Sequence, residues 1–421
     1  MKKTDNSHTP FTVNGIVAEY NPFHNGHHHQ LRDALSHTGA DYTVVIMSGN
    51  FMQRGTPALL DKYKRTEMAL RCGADLVLEL PALYSASSAE YFATGAVALL
   101  DKLGVVDHLC FGSECNNLEI LQKIADILCE EPEGYVTLLK QNLKRGYSYP
   151  IARTTALMQF QPELSGSRDV LSFPNNILGI EYLKALRRRE SSIKAHTTLR
   201  NSNHHSRMPE EQFSSSLALR QAILEHRDPS MLASQMPKDA YEILETALAS
   251  GTPLQLDDLS AQLLYKLATE ADMGYASYLD VSPDLSDRIR NRLYEYTSFS
   301  GFCDLLKTKD MTYTRISRCL MHILLDIRNT DMELYRQADY IKYARVLGFR
   351  RDAEALLTAI KQNSTIPLLT KLADAKEILD RQGLFMLHKE LRINAVYESA
   401  AAIKSGRPMN NEYRSPLVII S

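Results

Sequence analysis

The stretch that decides the fold is Gly15-Ile16-Val17-Ala18-Glu19-Tyr20-Asn21-Pro22-Phe23-His24-Asn25-Gly26-His27. Its apolar start, residues 16–18, is typical of a buried strand in a parallel sheet. Pro22 ends that strand, because proline fixes φ and has no N–H group to donate. A helix over residues 26–36 is predicted to follow, and its first turn presents unpaired N–H groups and the positive end of the helix dipole. The sequence therefore predicts a strand–turn–helix unit that binds an anion such as a phosphate group.

The two histidines of this turn form a recognisable motif. His24 and His27 are three residues apart, so they lie on one face of the predicted helix, and Gly26 lets a ligand approach the backbone closely. His-x-Gly-His after a buried strand resembles the signature of the nucleotidyltransferase superfamily, which implies that both histidines are catalytic and donate hydrogen bonds to the phosphates of ATP. A histidine-rich helix start without a ligand is one alternative. A metal site that adds His28 and His29 is another, but no Cys-x-x-Cys partner accompanies it, and we predict no metal site.

Strands and helices alternate through the first half of the chain. Short apolar runs predict further strands at residues 42–47, 75–80, 107–111 and 193–199. Helical patterns separate them at residues 60–72, 88–103, 118–129 and 175–189. This alternation predicts an α/β fold with a Rossmann-like parallel sheet covered on both faces. The ligand is expected at the carboxyl ends of the strands.

Beyond about residue 226 the strand signal fades. Helical patterns dominate instead, at residues 240–248, 259–269, 286–296 and 314–325. We therefore predict two domains: a Rossmann-like ATP-binding domain of the nucleotidyltransferase type over residues 1–228, and an all-helical domain over residues 229–421.

Composition restricts the class of protein. The chain has 421 residues, of which 44% are hydrophobic and 23% are charged, and its net charge is −2. These values are ordinary for a globular protein, and no apolar run approaches the length of a membrane span. The six cysteines are scattered and outline no disulfide framework. We expect a reduced cytoplasmic protein that contacts no membrane.

Two further polar segments attract attention. Residues 214–220 place serines at a helix start with an arginine one turn later, which suits a phosphate; they resemble the second motif of the superfamily, Ile-Ser-Ser-Thr-x-x-Arg, although Leu217 replaces the threonine. A capped surface helix is the alternative.

The loop at residues 47–58 and the helix after it carry four polar donors: Gln53, Arg54, Lys62 and Arg65. Such donors suit a small carboxylate. The alternative is that the loop is a solvated turn.

A basic segment lies in the second half. Residues 307–351 contain ten Lys or Arg and five Asp or Glu, an excess of +5 in a chain of net charge −2. Tyrosines are interleaved with these cations at positions 313, 335, 340 and 343. Cations bind phosphates, and aromatic rings stack on unpaired bases. The pattern favours an RNA-binding face, with a solvated helical surface as the alternative.

Several segments together resemble one family. Besides residues 15–27, they are residues 47–57 (Met-Ser-Gly-Asn-Phe-Met-Gln-Arg-Gly-Thr-Pro), 111–114 (Phe-Gly-Ser-Glu), 174–179 (Pro-Asn-Asn-Ile-Leu-Gly), 306–309 (Leu-Lys-Thr-Lys) and 313–315 (Tyr-Thr-Arg). The chain resembles the bacterial tRNA(Met) cytidine acetate ligase family from about residue 13 to about residue 372. The resemblance implies a ligase that activates acetate with ATP as acetyl-adenylate. It then forms N4-acetylcytidine at the wobble position of elongator tRNA(Met). Mg²⁺ is expected to accompany the ATP.

The resemblance also implies which residues bind. The ATP-binding positions carried over are Val17, Ala18, Glu19, Tyr20, Asn21, Pro22, Phe23, His24, Asn25, Gly26, His27, His28, His29, Gln30, Gly112, Asn175 and Arg200. The residues expected to bind tRNA, from the basic segment, are Lys307, Lys309, Arg315 and Arg318.

Two other functions compete with this interpretation. A nucleotidyltransferase that moves AMP or CMP onto a small phosphate-bearing metabolite shares the motifs, but such enzymes are generally shorter and lack a basic helical domain. A non-catalytic RNA-binding protein with a vestigial pocket is the second, and the intact His24, Gly26 and His27 argue against it.

Overall fold

The computed structural model of this chain describes residues 10–200, 215–225, 232–251 and 253–421. Its strands, in chain order, are β1 (Val13–Ala18), β2 (Tyr42–Ser48), β3 (Phe51–Met52), β4 (Thr56–Pro57), β5 (Leu76–Leu80), β6 (His108–Ser113), β7 (Lys194–Leu199), β8 (Ala344–Arg350), β9 (Leu368–Leu369) and β10 (Val418–Ile420). The expected boundary between residues 228 and 229 lies outside the described ranges, so the division into domains 1–228 and 229–421 stays a prediction.

Most strands join one sheet, in the order β10–β8–β5–β2–β1–β6–β7. β1 is central and pairs in parallel with β2 and β6, so that Ile16 lies opposite Val45 on one side and Cys110 on the other. The chain passes outward from β1 to β2 and β5, then returns to the far side of β1 for β6 and β7. A ligand in an open α/β sheet binds where the strand order reverses in this way. The predicted Rossmann-like parallel sheet is confirmed.

Side chains along the inner strands alternate between two hydrophobic clusters. On β2, Val44 and Ile46 belong to one cluster, and Val45 and Met47 belong to the other. All four side chains are fully buried. Because successive residues of a strand point to opposite faces, helices must cover both faces of this sheet. This double burial is the reason that the inner strands are continuous apolar runs in the sequence.

Helices make up most of the rest of the described chain, close to the predicted positions. The α-helices are Asn25–Thr38, Lys62–Arg71, Ala82–Ser85, Ala89–Lys102, Leu118–Glu130, Glu133–Lys144, Tyr149–Phe160, Pro174–Arg188, Ser216–Leu224, Lys238–Ala249, Ser260–Glu270, Pro283–Arg292, Phe299–Leu306, Tyr313–Leu324, Asn329–Gln337, Glu354–Asn363, Ala375–Ile378 and Arg381–Ser405. The 3₁₀ segments are Pro162–Ser172, Leu256–Leu259, Leu293–Glu295, Arg351–Ala353, Leu372–Asp374 and Glu412–Arg414. Each helix in the described ranges is too short or too polar to span a bilayer.

The second half is mainly helical, as predicted, but it is not all-helical, because it also contains β8, β9 and β10. β8 pairs antiparallel with β5, where Gly348 lies opposite Val77, and β10 pairs in parallel with β8. β9 also pairs in parallel with β8, so the second half extends the sheet of the first half by three strands. The prediction missed β8 because Arg345 and Arg350 make its sequence look like an exposed segment.

A buried ion cluster allows an arginine in this strand. Arg345 Nη1 lies 3.0 Å from Glu79 Oε2 and 2.9 Å from Glu412 Oε1. Lys62 Nζ lies 2.6 Å from Glu79 Oε1 and also pairs with Glu412. Buried charges are tolerated when they are paired in this way. Burial, and then the charge of Glu79, raise the pKa of the adjacent Glu390 to about 8, so Glu390 is neutral near pH 7 and two cations balance two carboxylates.

Candidate active site

A cavity of about 190 Å³ opens at the carboxyl ends of β1 and β6. Ten of the predicted ATP-binding residues line it: Val17, Ala18, Glu19, Tyr20, Asn21, His27, Gln30, Gly112, Asn175 and Arg200. The remaining members of that predicted set do not line it: Pro22, Phe23, His24, Asn25, Gly26, His28 and His29. Residues outside the set complete the lining: Met52, Gln53, Arg54, Thr56, Phe92, Phe111, Pro174, Leu178, Tyr182, Ser215, Ser216, Leu217 and Arg220. The structure thus gathers most of the predicted residues, and their ligand stays a prediction.

The two motif histidines cap the helix Asn25–Thr38. His24 is the N-cap residue, and its Nδ1 accepts a hydrogen bond from the N–H of Gly26 at 3.0 Å. His27 Nδ1 in turn accepts from the backbone N–H of His24 at 3.3 Å. The two rings stack with centroids 3.7 Å apart. Two of the helix's first N–H groups are therefore satisfied by imidazoles rather than by the usual serine or aspartate.

This capping sets the tautomer of both rings. A neutral imidazole carries one proton, and a nitrogen that accepts a hydrogen bond cannot hold it. Nδ1 is the acceptor in His24 and in His27, so the proton lies on Nε2 in each. Burial, followed by the proximity of His24 and Arg200, holds the pKa of His27 well below its usual value of 6.5. His27 is thus a neutral Nε2–H donor at the wall of the cavity.

Gly26 has a different role from the one expected. A Cβ atom at this position would lie 2.9 Å from His24 Cε1 and 3.0 Å from His24 Nδ1. Gly26 does not line the cavity. The glycine therefore makes room for the capping ring of His24, and a close approach of a ligand to its backbone is not needed to explain it.

Glu114 organises the wall of the cavity that contains Asn175. Its carboxylate accepts from the N–H groups of Asn175 and Asn176, at 3.2 and 2.9 Å, and thereby caps the helix Pro174–Arg188. Asn176 Oδ1 accepts from Ser113 Oγ at 2.7 Å and from the N–H of Glu114 at 3.0 Å, so this side chain is structural. Because a carboxylate already occupies this helix start, the wall suits a neutral part of a ligand, and Asn175 is the residue that reaches the cavity.

Arg200 closes the cavity beside the end of β6. Its Nη1 donates to Asn175 Oδ1 at 3.2 Å. Burial lowers its pKa, while the nearby carboxylate of Glu114 opposes that change. A Cβ atom at Gly112 would lie 3.3 Å from Arg200 Cδ, so a larger residue there would crowd the arginine.

A second helix start meets the first at this cavity. Ser215 caps the helix Ser216–Leu224 by accepting from the N–H of Ala218 at 3.2 Å. Arg220, one turn further, donates from Nη1 to the backbone oxygen of Asn21 at 2.6 Å. Burial lowers the pKa of Arg220 to about 10. Two cations held at a cost in a buried cavity favour an anionic ligand, which would offset that cost.

Sequence reasoning left these residues out of the ATP-binding set. The available signal was the serine-rich motif with an arginine one turn later. The structure brings Ser215, Ser216, Leu217 and Arg220 to the cavity. Ser214, the first residue of that motif, lies outside the described residues.

The hairpin of β3 and β4 forms the outer rim. The N–H of Gln53 donates to Glu19 Oε1 at 2.7 Å, and exposed Arg54 lines the cavity. Lys62 and Arg65, which we had grouped with these donors, do not belong there. Lys62 is in the buried ion cluster, and Arg65 is fully buried and donates to backbone oxygens, among them that of Ser48 at 3.0 Å.

The hairpin rests on the helix Tyr313–Leu324 of the second half. Ser317 Oγ donates to the backbone oxygen of Gly55 at 2.7 Å. Gly55 has φ of 71°, and a Cβ atom on it would lie 2.5 Å from the backbone nitrogen of Arg318. A glycine is required by both the left-handed conformation and the close contact. The helix that carries two of the predicted tRNA-binding residues is therefore in contact with the rim of the cavity.

The predicted tRNA-binding residues differ in exposure. Lys307, Lys309 and Arg315 are exposed, and Lys307 Nζ pairs with Asp304 at 2.7 Å. Arg318 is only partly accessible, and burial lowers its pKa. The basic segment 307–351 as a whole is not one surface, because several of its members are buried: Tyr335, Tyr343 and Arg345.

No metal site forms around the histidines. Within residues 10–200, 215–225, 232–251 and 253–421, no group of three or more His, Cys, Asp or Glu side chains is arranged to hold a metal ion. His28 and His29 follow His27 on the helix but do not line the cavity.

Comparison with known proteins gives consistent results. The family model described as HIGH Nucleotidyl Transferase matches residues 11–412. A protein of Acetivibrio thermocellus named tRNA(Met) cytidine acetate ligase is 38% identical over 416 residues, which cover 97% of this chain and 100% of that protein. A protein of the same name from Caldanaerobacter subterraneus is 41% identical over 392 residues, covering 92% of this chain and 94% of that protein.

The fold has a solved counterpart. The crystal structure of Thermotoga maritima TmcAL bound with alpha-thio ATP superposes with a TM-score of 0.90 at 31% identity. The match covers 97% of this chain and 99% of that chain.

Proposed function

The chain belongs to the tRNA(Met) cytidine acetate ligase family, and we propose on this basis that it is an ATP-dependent ligase for the wobble cytidine of elongator tRNA(Met). The enzyme activates acetate as acetyl-adenylate and then joins the acetyl group to N4 of the cytidine. The single observation that carries this proposal is the cavity, where a neutral imidazole donor, two partly buried arginines and two helix starts meet at the switch point of the sheet.

The first step forms acetyl-adenylate. A carboxylate oxygen of acetate attacks the α-phosphorus of ATP, a new P–O bond forms, and the bond to the leaving pyrophosphate breaks. Negative charge develops on the phosphate oxygens, and preorganised donors stabilise such charge most effectively in a site that excludes water. His27 Nε2–H, Arg200 and Arg220 are the donors that we assign to this step.

The nucleotide is oriented by the charges of the walls. The Glu114 carboxylate already balances the positive helix start at Asn175, so this wall suits the adenosine. The triphosphate belongs near His27 and Arg220, where a neutral N–H donor and a cation line the cavity. The rim at Arg54 and Gln53 is left for the acetate carboxylate, which an arginine side chain binds well.

The second step transfers the acetyl group. The N4 amine of cytidine attacks the carbonyl carbon of acetyl-adenylate, a C–N bond forms, the C–O bond to AMP breaks, and the amine loses a proton. A base that is stacked in an anticodon loop must be extruded before it reaches a cavity. We propose that exposed Lys309, just before the helix that supports the rim, and exposed Arg315, on that helix, bind the tRNA together with Lys307 and Arg318.

Mg²⁺ and the cellular location belong to the same proposal. The ion is expected to arrive as its complex with the triphosphate. The described residues offer no metal site of their own, so no step is assigned to it. The reaction requires tRNA, and we therefore expect it to take place in the cytoplasm.

Nucleoside analysis of tRNA tests the proposal. Elongator tRNA(Met) is incubated with the protein, ATP and isotopically labelled acetate, then digested and analysed by mass spectrometry. We expect labelled N4-acetylcytidine only when ATP and acetate are both present, and none in a tRNA whose wobble cytidine is replaced by uridine. Label from ATP in a small metabolite, with none from acetate in tRNA, would instead support a nucleotidyltransferase. Acetate-independent behaviour in ATP–pyrophosphate exchange would refute the activation step.

A further inference from the structure

One helical hairpin of the first half carries an open tip. Helices Glu133–Lys144 and Tyr149–Phe160 form it, between β6 and the helix Pro174–Arg188 in the chain. We call residues 140–153 the hairpin tip. Every residue from 143 to 151 is exposed. The base of the hairpin is packed, with Tyr135 and Leu157 buried, so a folded base carries a solvent-facing tip.

The tip is purely cationic. Residues 134–162 contain Lys140, Lys144, Arg145 and Arg153 and no aspartate or glutamate. Lys140, Lys144 and Arg145 are exposed, and none of the three forms an ion pair with a described residue. Uncompensated cations on a protruding turn create a positive potential that attracts a polyanion.

The tip also exposes apolar and aromatic side chains. Tyr147 is 44% exposed, Tyr149 is 57% exposed and Ile151 is 56% exposed. A single exposed apolar residue is ordinary, but a group of them marks an interaction surface. Tyrosine rings among cations are the combination that stacks on unpaired bases while phosphates are neutralised.

The base of the hairpin leads directly to the cavity. The 3₁₀ segment Pro162–Ser172 follows the hairpin, and the backbone oxygen of Val170 accepts from Asn176 Nδ2 at 3.1 Å. Pro174 and Asn175, which come next, line the cavity. Since a helix rises ~1.5 Å per residue, a 12-residue helix places the tip ~18 Å from its base. A large folded nucleic acid can contact the tip while one of its nucleotides enters the cavity.

Several cations of the basic segment 307–351 form ion pairs and are therefore less available to bind phosphates. Lys307 pairs with Asp304, Arg336 with Glu333 and Lys342 with Asp380. The charges of these three cations are therefore largely balanced by their partners, although Lys309 and Arg315 stay exposed. Charge complementarity therefore favours the hairpin tip as a site for phosphates, although it was not among the predicted binding segments.

We propose that the hairpin tip is a docking surface for the tRNA substrate. Lys140, Lys144 and Arg145 bind the sugar–phosphate backbone, and Tyr147 or Tyr149 stacks on an unpaired base. This inference rests on the proposed function, because that function identifies tRNA as the ligand. It adds a surface in the first half of the chain, apart from the basic segment of the second half.

The test separates tRNA binding from acetate activation. In the full-length protein, Lys140, Lys144 and Arg145 are replaced together by alanine, and tRNA(Met) binding is measured over a range of salt concentrations. Loss of three phosphate contacts, each worth ~0.7 in the slope of log K against log salt, weakens binding about 50-fold at 0.15 M salt and lowers the slope by about 2. Acetate-dependent ATP–pyrophosphate exchange without tRNA is expected to keep its wild-type rate.

Matched variants control for charge and ring loss. Lys361, Lys376 and Arg381 are exposed and form no ion pair with a described residue, so their replacement by alanine removes the same charge elsewhere; we expect less than a 3-fold effect on binding. Tyr149→Ala is expected to weaken binding about 5-fold or more through lost stacking. Tyr294→Ala, at a side chain that is 99% exposed, is expected to leave binding unchanged.

Each outcome decides the proposal. If the tip variants bind tRNA with wild-type affinity and salt slope, the tip is not a docking surface, while acetylation by the wild-type protein leaves the proposed function intact. If the wild-type protein neither binds nor acetylates tRNA, the proposed function fails and this inference fails with it. If the tip variants change the sedimenting mass of the free protein, the tip is a contact between copies of the chain, and the RNA proposal is wrong.

Discussion

Replacing His27 with alanine removes the donor on which the proposed activation step most depends. His27 lines the cavity, is 8% exposed, and carries its ring proton on Nε2 because Nδ1 accepts from the backbone N–H of His24. The same ring stacks on that of His24. The substitution therefore deletes one transition-state donor and one capping contact, and the two losses have separate measurable effects.

The structure sets the size of each effect. Loss of one preorganised donor to a developing oxyanion costs about 100- to 1000-fold in rate, or ~2.7–4 kcal/mol. Loss of a helix-capping contact costs ~0.5–2 kcal/mol of stability, and the long N···N distance of 3.3 Å for His27 favours the lower end of that range. A folded protein is stable by ~5–15 kcal/mol. We therefore expect a folded variant with a rate at least 100-fold reduced.

The assay is acetate-dependent ATP–pyrophosphate exchange, read beside the melting temperature. His37→Ala is the matched control, because His37 lies in the last turn of the same helix and its side chain is 64% exposed. That control is expected to exchange at the wild-type rate. Exchange by His27→Ala within 3-fold of the wild type would refute the donor role. A variant that loses folding together with activity would show that the ring is needed for the fold.

The pH profile checks the protonation state separately. The pKa of His27 is well below 6.5 in the folded protein, because of burial first and the nearby His24 and Arg200 next. The unfolded chain then takes up a proton as the pH falls below 6.5, while the folded protein does not, so this histidine makes stability fall in that direction. The wild-type exchange rate is expected to show no loss as the pH rises from 6 to 8. A rate that falls as the pH rises past 6.5 would mean that the working form is the imidazolium.

Three further expectations concern other parts of the chain. The pKa of Glu390 is raised to about 8 from its usual 4.5. Between these two pH values the folded protein holds a proton that the unfolded chain releases, so stability falls as the pH rises from 4.5 to 8. Glu390→Gln should flatten the pH dependence of the urea midpoint, and a profile parallel to the wild type would contradict the neutral carboxyl. Arg220→Met removes a cation and its 2.6 Å bond to the oxygen of Asn21, and we expect at least 10-fold weaker ATP binding by calorimetry, whereas unchanged affinity would exclude Arg220 from the triphosphate site. Lys309→Ala with Arg315→Ala should weaken tRNA binding about 14-fold at 0.15 M salt with exchange unaffected, and equal loss of both would indicate damage to the rim instead.

The first strand and the first helix could be predicted in detail from the sequence, because their signals are local. Residues 16–18 are apolar since the strand is buried on both faces, and Pro22 ends it whatever surrounds it. The histidine spacing likewise predicts that the side chains of His24 and His27 lie together. The family resemblance predicts that Gly112, Asn175 and Arg200 belong to the same site, and all three line the cavity.

The roles of individual residues were harder to predict from the sequence. Gly26 was expected to let a ligand approach, but it makes room for the ring of His24. Lys62 and Arg65 were grouped with the carboxylate donors because they follow the loop in sequence, yet both are fully buried elsewhere. A helix carries neighbouring side chains to different faces, and only the packed structure decides which face meets the cavity.

By itself, the sequence determined the α/β class, the central strand and the capped helix start, because these depend on periodicity and on the local chemistry of proline, glycine and histidine. Only the tertiary structure decided that β8 joins the sheet. An arginine in a buried strand costs too much unless it is paired, and the partners of Arg345 are Glu79 and Glu412, 266 residues before it and 67 after it. The same holds for Gly55, whose neighbour Arg318 comes from the second half of the chain. Contacts between residues so far apart in sequence leave no local pattern, and folding alone brings them together.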